Sequence, residues 1–237
     1  VSTTGDPQAQ RRTLLSDAGQ SDWLEVVGGT ELHLLVLACT WEDTTAVDLA
    51  SGVLVRLRVP WPEDHEPDLS PFDVVEAVVA ADPERDDLAQ PEAVTSADLP
   101  RHVGTLSGRR VRHMLARLAT TPNGPLLGFR GSSAPYWEFR GTRPSAALIV
   151  PTRGPQLIRR VEDKSTWMRF GWDRDDVWLP VTDIRAARAL DAARRERLSG
   201  KGLSTALGFR LQYLLVTLSR PRNGHCYKTI TAVLPRG

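Results

Sequence analysis

The stretch 211–235, LQYLLVTLSRPRNGHCYKTITAVLP, leaves this chain few ways to fold. From Leu211 to Leu218 apolar side chains fall on both faces of an extended strand, so packed protein must cover it on both sides. The connection 219–224 holds Pro221, which has no ladder donor, and Asn223-Gly224, which tolerates positive φ. Residues 225–234 return through Tyr, Thr, Ile and Val, which suit a pleated surface. A β-hairpin is expected, of the kind that closes a sheet or barrel.

What surrounds that hairpin is bounded by size and charge. The 237 residues hold one large domain or two of about 100 residues each. A hydrophobic fraction of 41% and a charged fraction of 25% exclude wholesale disorder. Cys39 and Cys226 fit neither a disulfide framework nor metal-ligand spacing, and read as small core side chains. No signal-peptide pattern and no run of about 18 apolar residues is present, so a cytoplasmic protein with no membrane contact is expected. The net charge of +1 hides an uneven distribution. Residues 62–98 are acidic with Arg85 as the single basic residue, whereas 101–160 carry Glu138 as the single acid, and the chain from 184 onward is again basic. A basic field beside an acidic loop follows, with a plain solvated surface as the bland alternative.

Residues 1–30 form a polar tail. Strands are expected at 31–40, 44–49 and 53–59 as a meander, with Arg56 and Arg58 leaving one sheet face together and Trp61 just beyond. A strand at 72–81 follows, then an acidic loop over 82–100. From Ser107, Val111, Met114, Leu115 and Leu118 fall at helical spacing and leave a basic outer face. The segment 126–141 is rich in glycine and aromatic residues. Its Tyr136, Trp137 and Phe139 suit packing between two halves or a stacking surface. Strands at 146–150, 155–162, 166–172 and 177–181 precede a helix over 184–198, with Asp183 as N-cap and Gly200 and Gly202 as its stop.

Both halves thus read as several strands, a helix and further strands. The expected fold is mostly β with two helices, arranged as two tandem OB-like β-barrels at 31–125 and 126–237. Periodicity alone leaves SH3-like barrels or a single α+β sheet open.

With these positions in hand, the chain resembles the dual OB-containing domain family, found in bacterial proteins linked by context to conflict and defence systems. The most specific likeness is 224–232, GHCYKTITA, which is similar to that family's G-x-C-Y-K-L-x-A ending, preceded by LVTLS at 215–219. Arg169-Phe170, the LPVTD at 179–183, the DVVE at 73–76 and Gln90-Pro91-Glu92 match further segments. The opening strand departs from the family, whose basic residue there is missing, and VRLRV at 55–59 retains Arg56 but loses a Trp and a Pro.

OB-folds bind single strands by pairing a basic groove with rings that stack on bases. The expected contacts to single-stranded DNA or RNA are Arg56, Arg58, Trp61, Arg169, Trp172, Arg220, Arg222, Tyr227 and Lys228. For Tyr227 and Trp172 packing is the alternative, and Lys228 lies in an otherwise apolar strand. No hydrolase, zincin or P-loop motif is present, and no cofactor is expected. His225 and Cys226 are adjacent in a strand and point to opposite faces, which disfavours joint catalysis. A metal site from His33, Cys39, His225 and Cys226 lacks any spacing that specifies it. A non-catalytic binding module is therefore expected, with a protein-interaction module as the rival.

Overall fold

The computed structural model describes residues 26–63, 67–81, 89–139 and 143–237. The expected polar tail up to residue 25 and the acidic stretches 64–66 and 82–88 lie outside the described residues. The chain is mostly β, with curled sheets. Among the described residues no helix is long and apolar enough to cross a membrane.

The first half opens with the expected meander, β1 (Glu31–Cys39), β2 (Thr44–Asp48) and β3 (Leu54–Arg58). β4 (Asp73–Val78) pairs antiparallel with the free side of β1, so that Leu34 lies opposite Val75. Two strands were not legible in the acidic segment and the residues after it. β5 (Ala93–Thr95) runs parallel to β3, and β6 (Arg101–Thr105) flanks β4. The sheet order is β5-β3-β2-β1-β4-β6, and a bridge from Val79 to Ser96 ties the end of β4 to the end of β5. The sheet therefore curls around Leu32, Leu34, Val36, Val55, Leu57, Val75 and Val94. The amphipathic helix forms as α1 (Arg109–Leu118), burying Val111, Leu115 and Leu118.

The second half contains β7 (Ala119–Thr120), β8 (Ser133–Pro135), β9 (Ala146–Ile149), β10 (Arg153–Arg159), β11 (Thr166–Trp172) and β12 (Asp175–Pro180). Then come α2 (Ile184–Ala192), β13 (Arg197–Ser199), α3 (Gly200–Leu207), β14 (Tyr213–Leu218) and β15 (His225–Leu234). Its two sheets run β12-β11-β10-β13 and β7-β9-β14-β15-β8. Val150, Pro151 and Thr152 alone separate β9 from β10, and a parallel bridge from Val181 to Ile230 links β12 to β15. Both sheets wrap Ile149, Leu157, Phe170, Leu179, Val216 and Ile230.

The terminal hairpin forms as the sequence demands. Every residue of β14 is buried, on both faces. Asn223 and Gly224 take φ of 50° and 76°, and Arg222 and His225 exchange backbone bonds of 2.7 and 3.0 Å, giving a two-residue turn of the primed type. The helix expected over 184–198 is shorter, and its proposed glycine stop is corrected. Asp183 caps α2 by accepting from the Arg185 N–H, but Arg194, at φ 50°, follows its end. Leu198 then pairs with Leu157 of β10, so sheet pairing overrides local helix preference. Gly200 and Gly202 lie inside α3.

A third apolar cluster fills the seam between the halves. Leu35, Leu37 and Val47 from the first sheet meet Val111 and Leu115 of α1 and Leu148, Leu215 and Leu234 of the second half. The alternation in β1 makes this work: Leu34 and Val36 face the first core while Leu35 and Leu37 face the seam.

Candidate nucleic-acid interface

The expected contacts divide by burial. Arg56 and Arg58 do share a face of β3, but that face is turned into the seam. Arg56 is 1% exposed. Its Nη1 donates to Ser145 Oγ at 2.9 Å and to the Leu218 carbonyl at 2.6 Å, and its Nη2 pairs with the Asp43 carboxylate. Arg58 donates to Gln90 Oε1 at 3.2 Å, and Gln90 Nε2 donates to the same Leu218 carbonyl at 2.9 Å. The Ser145 backbone N–H and hydroxyl donate to Glu92 Oε1 at 2.8 and 2.7 Å. Gln90 and Glu92 are thus a clasp between the halves. Burial pushes the Glu92 carboxyl above its ordinary range, against the pull of the Arg56 guanidinium and the Ser145 bonds.

Lys228 is likewise interior, at 2% exposed. Its Nζ donates to the carbonyls of Phe129 and Gly131 at 2.6 and 2.9 Å and lies 3.8 Å from the centre of the Phe129 ring. Burial pulls its pKa down to about 8. The side chain pins the connecting segment against β15. Trp172 is buried too, and its indole N–H donates to the Gly124 carbonyl at 2.9 Å. Trp61 is half-buried. The expectation that Arg56, Arg58, Trp172 and Lys228 line an open groove is therefore corrected: an incoming phosphate or base meets none of these side chains at the surface.

The exposed members gather at the hairpin tip. In β15, alternation turns His225 and Tyr227 outward and Cys226 and Lys228 inward. The edge strand β8 pairs Pro135 with His225 and Ser133 with Tyr227. Immediately after it a single tight turn, Tyr136–Glu138, brings two more rings alongside. The Tyr136 N–H donates to the Gly224 carbonyl at 3.0 Å. An added Cβ on Gly224 would meet the Trp137 ring at 3.4 Å, and its φ of 76° also favours glycine. Ring centroids then succeed one another, Tyr136 to Trp137 at 5.7 Å, Trp137 to His225 at 6.2 Å and His225 to Tyr227 at 6.5 Å. Trp137 is 56% exposed and Tyr227 40%. Arg220 and Arg222 stand on the same turn, both exposed, with Arg222 paired to Glu42 of the first half. Tyr136 and Trp137 thus form part of a surface, whereas Phe139 packs in the second core. Only the aromatic density of 126–141 hinted at this in the sequence.

A second exposed aromatic face lies on β11 and β12. Arg169 sits 5.4 Å from the Trp178 ring centre and donates through Nε to Asp176 at 2.8 Å. Arg160 sits 5.2 Å from the Trp167 ring centre. The Arg169 guanidinium holds the Asp176 carboxyl below its ordinary range. A phosphate arriving there must displace a carboxylate.

For metal ligation, the one His/Cys/Asp/Glu group found among the described residues is Glu31, His33 and Glu76 on β1 and β4. Glu76 already pairs with the Arg101 guanidinium, which competes with a cation. The two cysteines belong to different places. Cys39 lies 3.2 Å from Thr44 Oγ1 with its thiol pushed up to about 11, chiefly by burial, while Cys226 is in the second core. A protonated thiol is a poor nucleophile and a poor ligand.

No family model matches the chain, and no curated protein matches it in sequence.

Proposed function

We propose that this protein is a non-catalytic module of two OB-like barrels that binds single-stranded nucleic acid at the tip of its terminal hairpin. The observation that carries the reading is the run of four rings, Tyr136, Trp137 and Tyr227 exposed and His225 half-buried, beside Arg220 and Arg222. Rings accept unpaired bases of any sequence, at about 1–3 kcal/mol per stacked base, and guanidinium groups follow the backbone.

The barrel reading rests on strand pairing. In an OB-type order the first strand pairs with the second and fourth, and the third lies parallel to the fifth. β1 to β5 pair in that way, with β3 parallel to β5 and β1 antiparallel to β4. In the second half β9 with β10 takes the place of the first strand, β14 that of the fourth, and the Val181 to Ile230 bridge is parallel. Likeness to the dual OB-containing domain family, and a role in bacterial conflict systems, belong to the same proposal. Within it, Gln90 and Glu92 of the shared segments serve the clasp rather than the ligand.

Fluorescence anisotropy of labelled single-stranded DNA and RNA at about 50 and about 200 mM salt tests the function. Binding that weakens steeply with salt is expected. Absence of binding to both strands at the lower salt would remove the reading and leave the protein-docking module.

A further inference from the structure

A cleft of about 420 Å³ opens at the opposite end of β15, lined by Arg112, Ala116, Arg210, Gln212, Tyr213 and Arg236. Three separate elements bring its arginines together. Arg112 stands on the exposed side of α1, Arg210 precedes β14, and Arg236 follows β15. The pairing of Tyr213 with Leu234 and the 3.0 Å bond from the Gln212 N–H to the Leu234 carbonyl hold the last two segments side by side. Tyr213 is anchored in the seam cluster, so this wall of the cleft is rigid.

The charge here is unbalanced. Among the described residues the Arg210 and Arg236 side chains have no carboxylate partner, and Arg112 donates to the main-chain oxygen of Gly237, the last residue of the sequence, at 3.3 Å through both Nε and Nη2. Among the described residues no acidic side chain lines the cleft. Three arginines on one cleft make it positive, and an anion with several oxygens offsets that charge while accepting bidentate bonds.

We infer that the cleft formed by Arg112, Arg210 and Arg236 is a binding site for a phosphoryl group. It is distinct from the aromatic tip. β15 spans ten residues between them, about 30 Å at ~3.3 Å per residue. The group comes either from a free phosphate compound or from a nucleic-acid strand, and the two sources separate by experiment.

The test is calorimetric titration of the whole protein with pyrophosphate, repeated on Arg210→Ala/Arg236→Ala and on Trp137→Ala/Tyr227→Ala. Saturable binding is expected in the wild type, weakened at least about tenfold in the arginine variant and unchanged in the aromatic one. Both pairs are exposed, and melting curves matching wild type verify folding. Competition with a 5′-phosphorylated oligonucleotide and its 5′-hydroxyl twin then names the source. Displacement by the phosphorylated strand alone identifies a strand end, displacement by both identifies backbone phosphates, and displacement by neither identifies a free compound. No saturable binding, or equal binding by the arginine variant, would overturn the site.

Discussion

Glu42 and Asp43 are neighbours in sequence, and each holds an arginine, yet the two ion pairs live in different solvents. The Asp43–Arg56 pair is sealed in the seam, with side-chain exposures of 4% and 2%. The Glu42–Arg222 pair stands in water at the hairpin tip, with exposures of 32% and 67%. In the seam the guanidinium has lost its hydration and depends on Asp43, Ser145 and the Leu218 carbonyl together. At the tip the same chemistry is screened and exchangeable, which is what a binding surface needs. One loop thus ties the halves on one side and supports the candidate site on the other.

Removing Arg56 separates the two roles most sharply. Arg56→Ala leaves Asp43 buried without its cation and the Leu218 carbonyl short of a donor, and is expected to lower the unfolding free energy by about 3–5 kcal/mol, read from urea midpoints. A loss below about 1 kcal/mol would mean the seam is hydrated rather than sealed.

Lys228 gives a smaller, pH-dependent contrast. Its folded pKa of about 8 lies below the ordinary lysine value of about 10.4, so the folded state releases a proton that the unfolded chain keeps. Stability relative to Lys228→Met is therefore expected to be reduced below pH about 8 and to rise between about 8 and 10, by about 2 kcal/mol. Paired urea midpoints across that range check it, and a flat difference would place the ammonium in water.

The smallest effect belongs to the exposed pair. Arg222→Ala is expected to change stability by less than about 0.5 kcal/mol while lowering the salt slope of strand binding by about one. Equal loss of stability and binding would erase the distinction between seam and tip.

The sequence carried the parts of the fold that repeat a pattern. Thr166–Trp172 and His225–Leu234 form as strands at their expected limits, and α1 follows its apolar spacing. Ala93–Thr95 and Arg197–Ser199 are strands of three residues whose partners are distant, and three residues have no period to read. Placement of the site failed for a related reason. An arginine in a strand alternates to a known face, but whether water or another sheet covers that face depends on the whole chain. Arg56 and Lys228 read as groove residues because their charge was visible and their covering segments, at 43, 90–92 and 129–131, were not. Tyr136 and Trp137 were legible as aromatic density, and only the tight turn after β8 sets them beside His225.

The decisive comparison sets Trp137→Ala/Tyr227→Ala against Arg169→Ala/Trp178→Ala, both measured for affinity to a labelled single strand at about 50 mM salt. If the hairpin tip holds the strand, the first pair weakens binding by at least about tenfold and the second by less than about threefold, with both proteins melting like wild type. Wild-type affinity in the first pair, or a larger loss in the second, would contradict a site at the tip and move it to the face of β11 and β12.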